Sequence, residues 1–257
     1  MPSAIPSDTP PVRVHVGELP VDVVDLNGAL DVIERLVRAG NGGTVFTPNV
    51  DHVVQGEHNA RFRKAYLASS LSLVDGTPVL WASGLLGTRL PEKISGSDLI
   101  MPLLARAAER GLRVYFLGGD PGVAERARDV LERELPALKI VGIDNPRIDV
   151  DNVPSELIER IRAAQPDIVL VALGAPKQEI FSYDHGAKLK PAVLLGVGAS
   201  LDFVAGTKHR APVWLSRIGL EWVYRLAQEP KRLAGRYLLR DPQFFWIVGK
   251  QLIQRRK

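Results

Sequence analysis

The sequence predicts an α/β fold: a Rossmann-like parallel sheet covered by helices on both faces, followed by a C-terminal helical appendage. Three observations carry that expectation. Apolar runs at 44–46, 71–74, 113–117, 138–143, 168–173 and 192–197 alternate with helical patterns of about a dozen residues, the rhythm of βαβ units. The runs at 168–173 and 192–197 are apolar throughout, as strands buried on both faces are. From Ala211 onward the pattern changes to helices alone, divided by Pro230 and Pro242.

Each element has a local cause. Val12 to Val16 alternates as VRVHV and is expected as an edge strand. Leu26 to Arg38 carries Leu26, Leu30, Ile33, Leu36 and Val37 on one helical face, and Gly40-Asn41-Gly42-Gly43 stops it. Thr44-Val45-Phe46 is a strand that Thr47-Pro48-Asn49 ends, because proline has no N–H to donate. A helix leads to the second strand, Leu71 to Val74, which delivers Asp75-Gly76 to the same edge. Thr77 to Leu86 reads as a mostly buried helix. A loop from Gly87 to Gly96 precedes a helix from Ser97 to Arg110, with Ser97 or Asp98 as cap. The strand Arg113 to Leu117 runs into the glycine turn Gly118–Gly122 and a helix from about Val123 to Leu135. Strand, helix and strand follow at 138–143, 154–164 and 168–173. Gly174 to Glu179 then turns into another helix, and Ala192 to Val197 closes the series.

Composition bounds the function. A chain of 257 residues with 46% hydrophobic residues can bury one substantial core. The absence of Cys excludes disulfides, thiolate metal sites and a cysteine nucleophile, and fits a reducing, cytoplasmic setting. Residues 1–11 lack the charged and apolar regions of a signal peptide and are expected as a flexible tail. No stretch approaches the roughly 18–20 apolar residues of a spanning helix. The net charge of +4 is uneven: residues 208–257 hold 12 Lys and Arg against three acids, a net of +9, so residues 1–207 carry −5. A basic segment of this kind suits phosphate, nucleic acid or an anionic bilayer. The organisation expected is a core at 12–210 and a basic helical appendage at 211–257.

The chemistry-bearing residues collect at strand ends, where open α/β sheets bind ligands. Thr47, Asn49 and Asp75 bring a hydroxyl, an amide and a carboxylate to one crevice. Asp75 is a candidate general base if partly desolvated; alternatively Asp-Gly only makes the turn. Gly118 and Gly119 can aim N–H groups at a phosphate, although the turn lacks the full G-x-G-x-x-G spacing and a plain βα turn explains it equally. Gln178 and Lys177 open a helix and can hold a hydroxyl or phosphate, or be exposed first-turn residues. Asp202 offers a second carboxylate, or a cap or ion pair with Arg210. The histidines show no metal-ligand spacing, and no Asp-x-Asp pair is present. Arg217, Arg225, Arg232 and Arg236 lie at helical or near-helical spacing, where guanidinium forks suit a diphosphate or a solvated or lipid-facing surface with Trp214, Trp222, Trp246, Phe244 and Phe245.

Assembled, these motifs resemble the WecG/TagA/CpsF family of glycosyltransferases. The likeness runs from about Val12 to Tyr237: Thr47-Pro48-Asn49, Asp75-Gly76, GSDL at 96–99, FLGG at 116–119, LGAPKQE at 173–179, VGASLDFVAG at 197–206, RAP at 210–212 and GLEWVYRLAQEPKR at 219–232. The resemblance implies inverting, metal-independent transfer of an N-acetylmannosamine-type or related sugar from a UDP-sugar to a polyprenyl-diphosphate-linked sugar, in cell-surface polysaccharide synthesis. It implies Asp75 as the base, Thr47, Asn49 and Gln178 as polar pocket residues, and Arg225 and Arg232 steadying the diphosphate. The family's usual Glu-Arg before the GSDL-like segment is Glu92-Lys93 here, so Lys93 keeps the charge without the bidentate fork. No cofactor is implied. The partners expected are the two substrates, an anionic membrane surface on the inner face of the cell membrane, and a further copy of the chain, with no nucleic acid. Two other readings stand beside this one: a non-catalytic nucleotide- or nucleic-acid-binding module with a basic tail, and an NAD-type oxidoreductase, which the incomplete glycine fingerprint disfavours.

Overall fold

The computed structural model describes residues 10–209, 211–212, 215 and 221–255, without the side chains of Glu221, Arg225 and Arg232. A six-stranded, wholly parallel sheet forms its centre, built from β3 (Gly43–Phe46), β4 (Leu71–Ser72), β5 (Arg113–Gly118), β6 (Lys139–Asp144), β7 (Ile168–Ala172) and β8 (Val193–Gly196) in the order β4-β3-β8-β7-β5-β6. This is the α/β architecture the strand rhythm predicts. Alternate residues of each strand serve opposite faces. Val114 and Phe116 pack with α1 (Leu26–Ala39), α5 (Gly96–Arg110), α6 (Val123–Glu134) and α9 (Ser200–Val204), whereas Tyr115 and Leu117 pack with α7 (Ser155–Ala163) and α8 (Lys177–His185). The inner strands β7 and β8 are buried on both faces, which is why they read as continuous apolar runs.

One expected edge strand lies elsewhere. β1 (Arg13–Val16) pairs antiparallel with β2 (Leu19–Asp22) in a separate hairpin instead of joining the main sheet. Pro20 is tolerated there because a two-stranded ribbon has only edges. The hairpin is held by Asp22, which accepts from Arg13 Nε at 2.7 Å and from the Ser72 backbone at 2.7 Å. Between the main-sheet strands, α2 (Val50–His58), α3 (Ala60–Leu67) and α4 (Thr77–Leu85) cover the β3/β4 side.

Two helix expectations need correction. α4 is not mostly buried: Val79 and Ala82 enter the core, but Trp81 is 60% and Leu85 68% exposed. α5 starts at Gly96, capped by Ser95, not by Ser97 or Asp98. Asp98 completes a capping box instead, accepting from the Ser95 N–H while Ser95 Oγ accepts from its own.

The C-terminal segment contains α10 (Glu221–Gln228), α11 (Pro230–Gly235), a π-helical turn (Arg236–Arg240) and α12 (Gln243–Arg255). α12 docks on the core. Its Phe244 and Val248 join an apolar cluster with Val16, Val21, Val53, Val54, Val79 and Ala82, drawn from the hairpin, α2 and α4. Gln251 seals the contact with both ends of its amide, accepting from Gly17 N–H at 2.9 Å and donating to His15 O at 3.0 Å.

Candidate active site

The carboxyl ends of β3 and β4 make one wall of a cleft. Beyond the strands the ladder continues through the loops: Leu73 N–H donates to Phe46 O at 2.8 Å, and Asp75 N–H to Pro48 O at 2.9 Å. Ile94 N–H donates to Val74 O at 2.7 Å, which brings the loop carrying Lys93 alongside. Gly76, at φ +100°, turns the chain into α4 directly after Asp75, a backbone state other residues adopt only under strain.

The C-terminal segment makes the other wall. The cleft encloses ≈ 260 Å³, lined from the core by Asn49, Val50, Asp75, Gly76, Thr77, Pro78 and Lys93, and from the C-terminal segment by Trp222, Arg236, Tyr237, Asp241, Pro242 and Phe245. Charged side chains fix the two walls together at the N-terminus of α2. Asn49 caps that helix, accepting from His52 N–H at 3.2 Å, and its amide oxygen also accepts from Arg236 Nη2 at 3.1 Å. Asp51, buried one residue inside the helix, accepts from Gln55 Nε2 at 2.7 Å and Arg240 Nη1 at 3.0 Å, and lies 3.5 Å from Arg236 Nε. A carboxylate in the first turn also suits the helix dipole. Trp222 and Tyr237 stack edge to face with centroids 5.8 Å apart.

Two carboxyl groups therefore line one cleft, Asp75 from the core and Asp241 from the C-terminal segment. Burial raises Asp241 to about 6 against the pull of Arg236, with the Asp51 charge raising it further. Its Oδ1 is buried without a hydrogen-bond partner among the described residues. Lys93 and Arg236 supply cationic groups, Lys93 also lying 3.3 Å from Asp98.

Behind the wall, aromatic and polar groups are packed dry. His52 Nδ1 and the Tyr66 hydroxyl share a hydrogen bond of 2.7 Å. Burial first, and the Arg236 charge second, push His52 down to about 3, so it is neutral at physiological pH. This is a core role for the one histidine near the crevice.

Of the residues singled out from sequence, Asp75, Asn49 and Lys93 meet in the cleft. Thr47 sits at the same strand end but is buried, outside the lining. Gln178 is also outside it: its Oε1 accepts from Gly198 N–H at 3.0 Å and its Nε2 donates to Glu179 Oε1 at 2.8 Å, joining α8 to the loop after β8. Lys177 Nζ donates to Ile148 O at 3.2 Å. Gly118 and Gly119 form a closely packed turn. A Cβ on Gly118 would lie 2.8 Å from Ala172 O, and Gly119 N–H donates to that oxygen at 2.9 Å. Asp202 is buried and pairs with Lys208 Nζ at 3.1 Å. Arg210 and Arg217 fall outside the described residues, as do the side chains of Arg225 and Arg232 on α10 and α11.

Sequence reasoning missed Tyr237 and Asp241 as cleft residues, and saw Arg236 only as one arginine in a row. The signal for Arg236 was its register with the other arginines; Asp241, preceding Pro242, offered none.

The sequence profile described as the Glycosyl transferase WecG/TagA/CpsF family matches residues 14–257. The chain is also similar to an N-acetylglucosaminyldiphosphoundecaprenol N-acetyl-beta-D-mannosaminyltransferase of Bacillus spizizenii (strain ATCC 23059 / NRRL B-14472 / W23), with 32% identity over 81% of this chain and 79% of the relative. A protein of the same name from Bacillus subtilis (strain 168) is 29% identical over 88% of this chain and 87% of its own length. With the family profile running from β1 through the last helix that walls the cleft, the chain belongs to the WecG/TagA/CpsF family of glycosyltransferases.

Proposed function

We propose that the protein transfers an N-acetylmannosamine-type sugar from a UDP-sugar to a sugar carried on a polyprenyl diphosphate, with inversion and without a metal, in the synthesis of a cell-surface polysaccharide. The names of the two Bacillus relatives, which specify a diphosphoundecaprenol-linked N-acetylglucosamine and a mannosaminyl group, support the substrate class. The observation that carries the mechanism is the cleft itself, in which the Asp75 carboxylate shares the walls with Lys93 and Arg236.

In this reading the acceptor hydroxyl attacks the anomeric carbon as Asp75 takes its proton. The bond from that carbon to the UDP oxygen breaks, and UDP departs with the electron pair. Lys93 and Arg236 stabilise the charge developing on the diphosphate, with Arg210, Arg225 and Arg232 adding to the same field. Thr47 and Asn49 shape the acceptor side through their strand end. Gln178 and Asp202 act by holding the loops after β7 and β8, and Gly118–Gly119 by fixing the turn after β5. The enzyme works peripherally on the inner face of the membrane, where its basic segment meets anionic lipid; no helix among the described residues is long and apolar enough to cross a membrane.

The test is UDP release from a panel of UDP-sugars, with a short-chain prenyl-diphosphate-N-acetylglucosamine acceptor, in the presence and absence of EDTA. Acceptor-dependent release that survives EDTA is the expected outcome and names the donor. Release abolished by EDTA would overturn the metal-free chemistry. UDP raising the melting temperature without turnover on any donor would favour a binding module.

A further inference from the structure

α4 buries only part of its surface. The helix and its flank, residues 77–90, contain no acidic residue, and neither do residues 243–257 around α12. Their starts meet at the cleft, where Thr77 and Pro78 line one side and Pro242 and Phe245 the other. At their far ends a Cβ on Gly87 would stand 3.6 Å from Arg255 Nη1. Buried residues of the two helices enter the same apolar cluster.

Large apolar side chains are left outside on both. Trp81 and Leu85 on α4 are 60% and 68% exposed, and Phe245, Trp246 and Ile253 on α12 are 72%, 77% and 64% exposed. Large apolar side chains left exposed on two helices that start at one cleft mark an interaction site. The charged residues within these stretches are all basic: Arg89, Lys250, Arg255, Arg256 and Lys257. Aromatic and aliphatic side chains among cations, with no acidic residue in either stretch, match an anionic lipid interface, where the rings enter the headgroup boundary and the cations meet phosphate.

We propose that α4 and α12 together form the bilayer-seating surface, so that a helix of the core, and not the C-terminal segment alone, holds the protein on anionic membrane with the cleft mouth at the headgroup level. The proposal rests on the transferase reading for its purpose, since a polyprenyl-linked acceptor has its sugar at that level. Its evidence is independent of turnover.

The experiment is vesicle flotation of the full chain with phosphatidylglycerol-containing and pure phosphatidylcholine vesicles, read together with quenching of tryptophan emission by brominated acyl chains. The unaltered protein should float with the anionic vesicles, and its emission should be quenched there. W81S/L85S on α4 and W246S/I253S on α12 should each reduce partitioning by at least about tenfold, with melting temperature held near the parent's, while L67S on the exposed face of α3 should not. Parent-like flotation of W81S/L85S, or absence of quenching in the unaltered protein, would overturn the two-helix surface. Equal binding to phosphatidylcholine would overturn its anionic preference. Vesicle-independent dimerisation that both double variants abolish would assign the face to a second copy of the chain instead. Loss of turnover with vesicle binding intact would count against the transferase reading alone.

Discussion

Two groups of strand ends share one edge of the sheet, and they have different fates. At β5 and β7 the chain leaves neighbouring strands in opposite directions, the place where an open α/β sheet is expected to bind ligand. There Gly118 is closed against Ala172, and the Gln178 amide joins Gly198 to Glu179. At β3 and β4 the loops after the strands instead meet a second wall from the C-terminal segment and enclose the cleft. The cleft at β3 and β4 thus has two walls, one from the core and one from the C-terminal segment. The site forms where another element stands across from that edge.

The strongest way to break this contrast is Asp75→Asn. The amide fills the same space but cannot take a proton, so turnover should fall about 10²–10⁴-fold, the range for loss of a general base. UDP affinity, read by calorimetry, should change little. Normal turnover would remove Asp75 from the chemistry.

Arg236→Met tests the second wall. It removes the cation between Asp51 and Asp241 and the donor to Asn49. Because the guanidinium is partly solvated, stability should drop only on the order of 1–3 kcal/mol. Turnover should fall about 10- to 100-fold, with Lys93 retaining part of the diphosphate stabilisation. A variant that melts lower yet turns over normally would make Arg236 a clamp only.

Gln178→Leu probes the other strand ends. Gly198 N–H loses its acceptor and Glu179 its donor inside the protein, a cost of about 1–3 kcal/mol in urea unfolding. The folded fraction should keep kcat within about threefold of the parent. A large fall in kcat without loss of stability would return Gln178 to direct substrate contact.

The same contrast explains what was legible in the sequence. The inner strands of the main sheet were readable because dry strands are largely apolar runs bounded by Gly, Pro or Asn, and those signals are local. The Asn49 and Asp75 side of the cleft was readable for the same reason. The β1–β2 hairpin was not, since Leu19-Pro20-Val21-Asp22 contains a proline and is held by Asp22 reaching Ser72, fifty residues away. Nor was the second wall. Arg236 and Arg240 find Asn49 and Asp51 across nearly 190 residues of chain, and no periodicity encodes such a pairing. The exposed face of α4 was not legible either: apolar residues surround the helix, so its pattern cannot say which face is covered.

The smallest effect is the one with a pH signature. Glu179 is fully buried with Oε2 unpartnered among the described residues, and burial raises it from 4.5 to about 7. Below pH 4.5 it is protonated folded and unfolded alike, so it imposes no penalty; as pH rises through 7 the folded protein must bury the charge, and that stability is lost. His52, lowered to about 3, acts in reverse, since its stability is complete above pH 6.5 and is lost as pH falls towards 3. Between pH 4.5 and 6.5 the two slopes oppose, which flattens the parent's profile. Glu179→Gln should remove one of them. Its stability relative to the parent should be unchanged at about pH 4, grow through pH 4.5 to 7, and reach a gain on the order of 1–3 kcal/mol at about pH 8. A pH-independent difference in urea unfolding would mean that the carboxyl group does not change its proton affinity on folding. The gain at high pH, with kcat retained, would show that this buried acid serves the packing after β7 and not the cleft.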